Sequence, residues 1–500
     1  MTKRINKIDE FFLGDWYPAF TFALILIGYF TKTEVFTILI NALVTSFAII
    51  KTGKIKPLLF TLLTFVYQFH PSHTPLVPPN TMLQDIQADY YLSGYPLWLV
   101  LTSVAILVVA VLVVVIRDGA FFCVYWREVP MLVPVIIFSA TMLTNGLLHR
   151  GSNDLGDFLW GLGMAFVYCA VYLLCYLGLR NESREEMIQY FIHLSMLMSW
   201  ILVLQVGELY VSGKMIVNGE IIRDHMVLGF GTSTIVGPHA AMLVPANIFG
   251  LMRGRRPYLS AASAVLILAV TMVSTSRNAM LMGAFYFALC LVICFAVSNK
   301  KREILKGFAI ASPLVIAIIA VGVWYIFEKR GGLNNNGRYP LWETAFNKFL
   351  EYPIFGEGFY SSEIGYSGTF GQIGFDPIPY FAHNTIFELL GATGLVGLIG
   401  YLIYRVSTIF VTFNKASLDR FMVMLSASVI IAASLLDNYV FQLYSPLYYV
   451  VATAITAALY DKDMRWFRIR QVDKPHIKKL KINSNTQKTD NKKYKTHRKM

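Results

Sequence analysis

Long apolar blocks alternate with short polar connections along most of this chain. Leu97 to Ile116 is one such block and holds no charge. Blocks of this kind approach the ~20 residues needed to cross a hydrocarbon core as an α-helix. Inside hydrocarbon every backbone N–H and C=O must find a partner within the segment, so the blocks are predicted to be helices. The short alternating segments of a membrane β-barrel are absent from the sequence. In chain order the predicted spans lie at approximately 16–31, 35–50, 57–70, 97–116, 129–144, 158–179, 190–210, 226–250, 258–275, 278–298, 307–327, 385–404, 420–437 and 445–460. The pattern predicts an all-α integral membrane protein with about fourteen transmembrane helices. Residues 1–460 form its membrane domain, which includes a long loop over 328–384, and 461–500 form a basic tail.

Lysine and arginine are retained on the cytoplasmic side of a membrane, which sets an orientation. Alternate connections are basic: Lys51, Lys54 and Lys56; Arg117 and Arg127; Arg180 and Arg184; Arg253, Arg255 and Arg256. The same side then takes Lys300, Lys301, Arg302 and Lys306, followed by Arg405, Lys415 and Arg420. The intervening connections, such as Pro71 to Pro96 and Asp437 to Ser445, are poorer in positive charge. Both termini are therefore expected in the cytoplasm, in a multi-pass protein of the cytoplasmic membrane. Met1 to Glu10 is charged and no small-residue cleavage site follows the first apolar run, so the first helix reads as uncleaved.

Composition agrees with this picture: 56% of residues are apolar and only 15% charged, and the mean hydropathy is +0.55. The net charge of +13 sits largely after Tyr460, in a run that includes Lys478, Lys479, Lys481, Lys492, Lys493, Lys495, Arg498 and Lys499. Such a tail reads as a solvated end lying against an anionic leaflet, and no nucleic-acid partner is inferred from it. Cys169, Cys175, Cys290 and Cys294 fall inside apolar blocks and Cys123 on a connection, without the spacing of a metal cluster or a disulfide framework.

The connection from Glu328 to His383 is far longer than a usual helix–helix link, and its aromatic content predicts packed structure. Asn336 and Pro340 suit the start of a helix there. Trp342, Phe346, Phe349 and Leu350 then recur on one face. Tyr352-Pro353 ends that helix, and Gly356 and Gly358 make a turn. The Pro-rich connection from Pro71 to Pro79 reads as a simple link.

The middles of the predicted spans are nearly free of charge. Polar positions gather at the outer ends instead: Arg223, Arg277, Glu388 and Asp437, with Arg338 and His383 in the long loop. This distribution predicts a site at the outer membrane face. Arg277 follows Ser274-Thr275-Ser276 where positive charge is otherwise scarce. It reads either as an interfacial arginine or as a guanidinium fork for phosphate oxygens. Arg338 stands four residues before Trp342, so the two can share a helix face. His383 precedes Asn384, a suitable helix cap, and an imidazole is a natural general base for a sugar hydroxyl. Two arginines and a histidine at one face would make a diphosphate clamp beside a base. No carboxylate cluster with metal-ligand spacing accompanies them, so arginine rather than a metal or cofactor is expected to carry the charge.

These residues resemble the O-antigen ligase/polymerase superfamily, membrane glycosyltransferases that act on undecaprenyl-diphosphate-linked glycans. The similar stretch runs from about Ser274 to Tyr401. It includes Ser276-Arg277-Asn278-Ala279, then Gly337-Arg338 followed by Trp342. Tyr352-Pro353-Ile354-Phe355-Gly356-Glu357-Gly358 comes next, and then His383-Asn384 with Glu388-Leu389-Leu390 and the glycines Gly391, Gly394 and Gly397. The resemblance implies a metal-independent transfer: Arg277 and Arg338 hold the diphosphate, His383 is the base, and Trp342 orders the loop or the sugar. Ser276, Asn384 and Arg223 are further substrate-binding candidates, Arg223 lying upstream of the similar segment Leu228-Gly229-Phe230-Gly231.

Two functions compete within that resemblance. A polymerase joins lipid-linked oligosaccharide repeats into capsule, exopolysaccharide or O-antigen; a ligase moves the finished glycan to another acceptor. Polymerase is the primary expectation, with a chain-length regulator and a flippase as candidate partners. From another class, a transporter or lipid flippase would use broken helices at mid-membrane, and Gly237, Pro238 and Pro245 are placed to break the eighth span. A scaffold for other envelope enzymes is a third reading.

Overall fold

A computed structural model describes residues 7–69, 97–118, 129–148, 154–217, 220–221, 225–229, 231–297, 301–328, 338–359, 382–415, 417–437, 439–441 and 445–464. Arg223, Cys123, the Pro71–Pro96 connection and the tail beyond residue 464 lie outside them.

The described chain is a helical bundle. In order its helices are α1 (Lys7–Leu13), α2 (Trp16–Thr31), α3 (Glu34–Thr52), α4 (Lys56–Thr64), α5 (Leu97–Asp118), α6 (Leu132–Leu143) and α7 (Asp154–Ala165). A π-helical turn, Phe166–Val171, joins α7 to α8 (Tyr172–Leu179). Then come α9 (Arg184–Val211), α10 (Ser233–Arg253), α11 (Pro257–Val273), α12 (Arg277–Val297), α13 (Lys301–Glu328), α14 (Arg338–Glu351), α15 (Thr385–Phe413) and α16 (Leu418–Ala433). The last helix, α17, covers 445–464.

Each predicted apolar block falls mainly on helix among the described residues. By length and hydropathy, six described helices are able to cross a membrane, or seven if α1 and α2, bent by 64°, count as one. The chain is thus a multi-pass helical protein, while a count of fourteen is not confirmed by that measure. The expected span at 226–250 starts late, because Val227–Leu228 and Gly231–Thr232 pair as an antiparallel hairpin before α10 begins. A second hairpin pairs Ile216–Val217 with Glu220–Ile221.

α10 is the central helix, packed against α9, α11, α12 and α16. Pro238 and Pro245 lie inside it, yet it runs unbroken from Ser233 to Arg253. The expected break at Gly237-Pro238 does not occur. Polar side chains join helices across this core, a common device where apolar packing alone does not select one neighbour over another. The Tyr448 hydroxyl lies 3.0 Å from Ser195 Oγ and 2.8 Å from Ser426 Oγ, linking α17 to α9 and α16. The buried His239 ring reaches Ser445 Oγ at 3.2 Å and the Tyr67 hydroxyl at 3.4 Å.

At the basic end of the bundle, Asp419 meets Arg184 at 2.8 Å and Arg253 at 3.3 Å, and Asp463 pairs with both Arg184 and Arg420. α17 therefore continues past residue 460 because its acidic last turn is tied into this network.

Arg405 is a correction to the expected pattern. It does not lie on a basic connection after residue 404, because α15 continues to Phe413. Its guanidinium is instead buried among Tyr449, Tyr401 and Tyr404, at 4.2, 4.5 and 5.2 Å from the ring centroids. Its three nitrogens have no hydrogen-bond partner among the described residues. A flat, weakly hydrated guanidinium tolerates such a cage, where each desolvated cation–π contact contributes about 1–2 kcal/mol. Lysine offers a compact, strongly hydrated charge in its place. Arg405→Lys is expected to lower stability by about 1–3 kcal/mol, read as a lower midpoint of thermal unfolding in detergent; an unchanged midpoint would show that the cage holds no energy.

Candidate functional site

The turn that carries Arg277 is built by hydroxyls. Ser274 Oγ donates to the Thr271 carbonyl at 2.6 Å and accepts the Ser276 N–H at 3.4 Å. Thr275 takes a left-handed φ of 52°, turning the chain into α12. The turn lies tight against α10: a Cβ added at Gly237 would fall 2.5 Å from Ser274 Oγ. Arg277 thus opens a helix, and the dipole at a helix N-terminus favours an anion. The buried Thr275 hydroxyl at that end has no partner among the described residues.

Arg338 opens α14, the helix expected from Trp342, Phe346 and Phe349. The Trp342 ring stacks on Phe387 of α15, with centroids 5.4 Å apart and planes at 10°. Ala345 and Ala382 are buried in the same contact. This stack is part of the contact between α14 and α15.

His383 also takes a left-handed φ, of 50°. Asn384 caps α15 as expected, its Oδ1 accepting from the N–H groups of Ile386 at 2.9 Å and Phe387 at 3.3 Å. The His383 imidazole, about a third exposed, places Nδ1 2.9 Å from Asp437 Oδ1. The Tyr439 hydroxyl lies 3.1 Å from Asp437 Oδ2 and 2.7 Å from the Thr234 carbonyl. A carboxylate on Nδ1 selects the tautomer with its proton there, which leaves Nε2 as the basic nitrogen.

Five consecutive residues gather these parts. A helix end leaves its last carbonyls without intrahelical donors, and the end of α16 meets that need with side chains of the candidate site. Asn278 Nδ2, next to Arg277, donates to the Ala433 carbonyl at 2.8 Å. Thr385 donates to Ser434 through both N–H and Oγ1 at 2.9 Å. Asn384 Nδ2 donates to Leu435 at 2.7 Å. Arg338 donates from Nη1 to Leu436, and His383 meets Asp437. The helix C-terminus adds partial negative charge where the Arg338 guanidinium docks.

A second joint fixes α14 against α15. α15 is broken at Gly394, where φ is 61° and ψ is −157°. The segment after α14 lies across the break with four backbone hydrogen bonds. Glu357 N–H donates to Gly391 O at 2.9 Å and Gly358 N–H to Ala392 O at 3.0 Å; Leu395 N–H donates to Pro353 O at 2.9 Å and Val396 N–H to Ile354 O at 3.1 Å. The strap also accepts from α6's end, with Gly146 N–H donating to Phe355 O at 3.0 Å. The Tyr352–Gly358 motif and the glycines after Glu388 are thus two halves of one clasp.

The structure accordingly brings Arg338, His383, Asn384 and the Ser276-Arg277-Asn278 turn to one end of the bundle, around residues 433–437. Arg223 lies outside the described residues. Ser276 is buried and contributes through its backbone, its carbonyl accepting the Met280 N–H at 2.9 Å. The sequence marked Asp437 only as an outer polar residue; its pairing with His383 crosses 54 positions of chain and left no local signal.

No curated protein matches the chain. Residues 262–402 match the O-antigen ligase family model. The match extends from within α11 to within α15 and takes in Arg277, Arg338, Trp342 and His383, while Asp437 lies beyond it. Such a domain implies a ligase- or polymerase-type membrane enzyme with a lipid-linked glycan as substrate. This match over residues 262–402 supports the O-antigen ligase/polymerase superfamily resemblance seen in the motifs.

Proposed function

We propose that this protein is a glycan polymerase that joins undecaprenyl-diphosphate-linked oligosaccharide repeats at the outer face of the cytoplasmic membrane. Both termini are then cytoplasmic and about fourteen helices cross the bilayer. The observation that carries this reading is the convergence of Arg338, His383 and the Arg277 turn on residues 433–437.

In this reading His383 Nε2 takes the proton from the acceptor hydroxyl. The acceptor oxygen forms a bond to the anomeric carbon of the donor, and the bond from that carbon to the phosphate oxygen breaks. Undecaprenyl diphosphate leaves with the bonding electron pair. Arg277 and Arg338, with the N-terminus of α12, meet the growing negative charge, and no divalent cation is needed for that role. Asp437 holds the imidazole in one tautomer and stabilises the imidazolium. Trp342 orders α14 so that Arg338 stays in place; Ser276 and Asn384 fix the two turns, and Arg223 is a further contact to the substrate.

The size profile of lipid-linked and surface glycans tests the proposal, in a strain lacking this protein and complemented with wild type or His383→Ala. Single lipid-linked repeats should accumulate without the protein and persist with His383→Ala, since a positioned general base contributes about 10²–10⁴-fold. Long lipid-linked chains would instead identify a ligase using the same site. An unchanged profile would remove the glycosyl-transfer reading altogether.

A further inference from the structure

The clamp around His383 has one more member, with no role in the transfer chemistry above. Glu388 lies one turn into α15 and is 1% exposed. Its Oε2 reaches back past the Asn384 cap and accepts the Ala382 N–H at 2.6 Å. Ala382 is fully buried, so no water is at hand to replace that acceptor. Ala382 is the residue before His383, whose φ of 50° is sparsely populated for a residue with a side chain. A conformation of that kind persists only where its surroundings over-determine it. The three other restraints act on the side chain or after it: Asp437 on the imidazole, Leu435 on Asn384 and Ser434 on Thr385. Among the described residues, Glu388 is the side chain that restrains the backbone on the N-terminal side of His383, through the Ala382 N–H.

We propose that Glu388 is a positioning residue that holds the backbone of His383 in its left-handed conformation, and so keeps Nε2 aimed at the acceptor hydroxyl. The inference rests on the reading of His383 as the general base. Only acceptance of an N–H is asked of Glu388, so a glutamine Oε1 can replace it, whereas leucine and the shorter aspartate cannot.

The test measures kcat and KM on the purified full chain in lipid nanodiscs, with undecaprenyl-diphosphate-linked repeats extracted from the deletion strain. Glu388→Leu should lower kcat by about 10²-fold, the scale of an ångström-sized misplacement, with KM for the lipid-linked donor unchanged. Glu388→Gln should recover most of the wild-type kcat. Wild-type turnover by Glu388→Leu would overturn the proposal, as would Glu388→Gln being as slow as Glu388→Leu. If Glu388→Leu does not fold, Glu388→Asp decides: slow turnover beside an active Glu388→Gln supports the role, and wild-type turnover ends it. An active His383→Ala in the same assay would refute the base assignment itself, a failure distinct from these.

Discussion

Replacing Asp437 by asparagine is expected to cut turnover by about 10²–10⁴-fold while the protein stays folded and binds its lipid-linked donor. Asparagine matches aspartate in size, and the Tyr439 hydroxyl still finds a partner at the position of Oδ2. What changes is the control of the imidazole. With its amide turned one way, asparagine accepts from Nδ1–H but brings no charge to stabilise the imidazolium. Turned the other way, it donates to Nδ1 and forces the proton onto Nε2, where the base must be unprotonated. Either arrangement slows proton abstraction, so the loss should appear in kcat and leave donor KM near wild type. Tyr439→Phe, which removes only the contact to Oδ2, should lose much less. Turnover by Asp437→Asn at the wild-type rate would reduce the His383–Asp437 contact to a structural pairing.

Gly394→Ala is expected to destabilise the protein by about 3–6 kcal/mol, the sum of left-handed strain and several lost hydrogen bonds. A Cβ at Gly394 would lie 2.6 Å from the backbone carbon and oxygen of Ile354 and 2.7 Å from the Gly356 N. Backbone atoms cannot rotate aside, so the strap must lift. All four hydrogen bonds across the break are exposed to that displacement. α14 would then lose its anchor, and Arg338 with it. Thermal unfolding in detergent, together with protease cleavage near residues 353–358, would register the change. Gly207→Ala in α9 is the control: nothing lies within 4 Å of the added Cβ, and removing a mid-helix glycine should stabilise by about 0.5–1 kcal/mol. Equal stability of Gly394→Ala and wild type would mean that the strap is not held by the break.

The parts of this molecule legible in its sequence are those written in side chains with a period. The apolar blocks gave helices, Trp342, Phe346 and Phe349 gave α14, and Tyr352-Pro353 gave its stop. Asn384 gave the cap of α15. His383, Arg338 and the turn that carries Arg277 lie at one end of the bundle because those helices bring them there. The hub at residues 433–437 was not legible, because most of it is carbonyl oxygen, and every residue has one. The clasp was hidden for a related reason. Its glycines were visible, but the bonds that join them are backbone to backbone across some 40 positions of chain. Arg405 misled because charge usually marks the end of a span, whereas three tyrosines from α15 and α17 let this one stay inside. The hairpin before α10 displaced a helix start that apolar content alone could not fix.

The clasp also limits how such a protein can be re-engineered or recombined. A large loop between two helices is ordinarily a cassette, exchangeable wherever its two ends fit. Here the cassette is bolted to the scaffold in mid-length, at Gly391–Val396, and the bolts are main-chain atoms. A loop borrowed from another enzyme would therefore have to arrive with the first part of α15 still attached. The exchangeable unit is the pair, strap and broken helix together, because a Cβ at Gly356 or at Gly394 would strike the backbone of the facing segment.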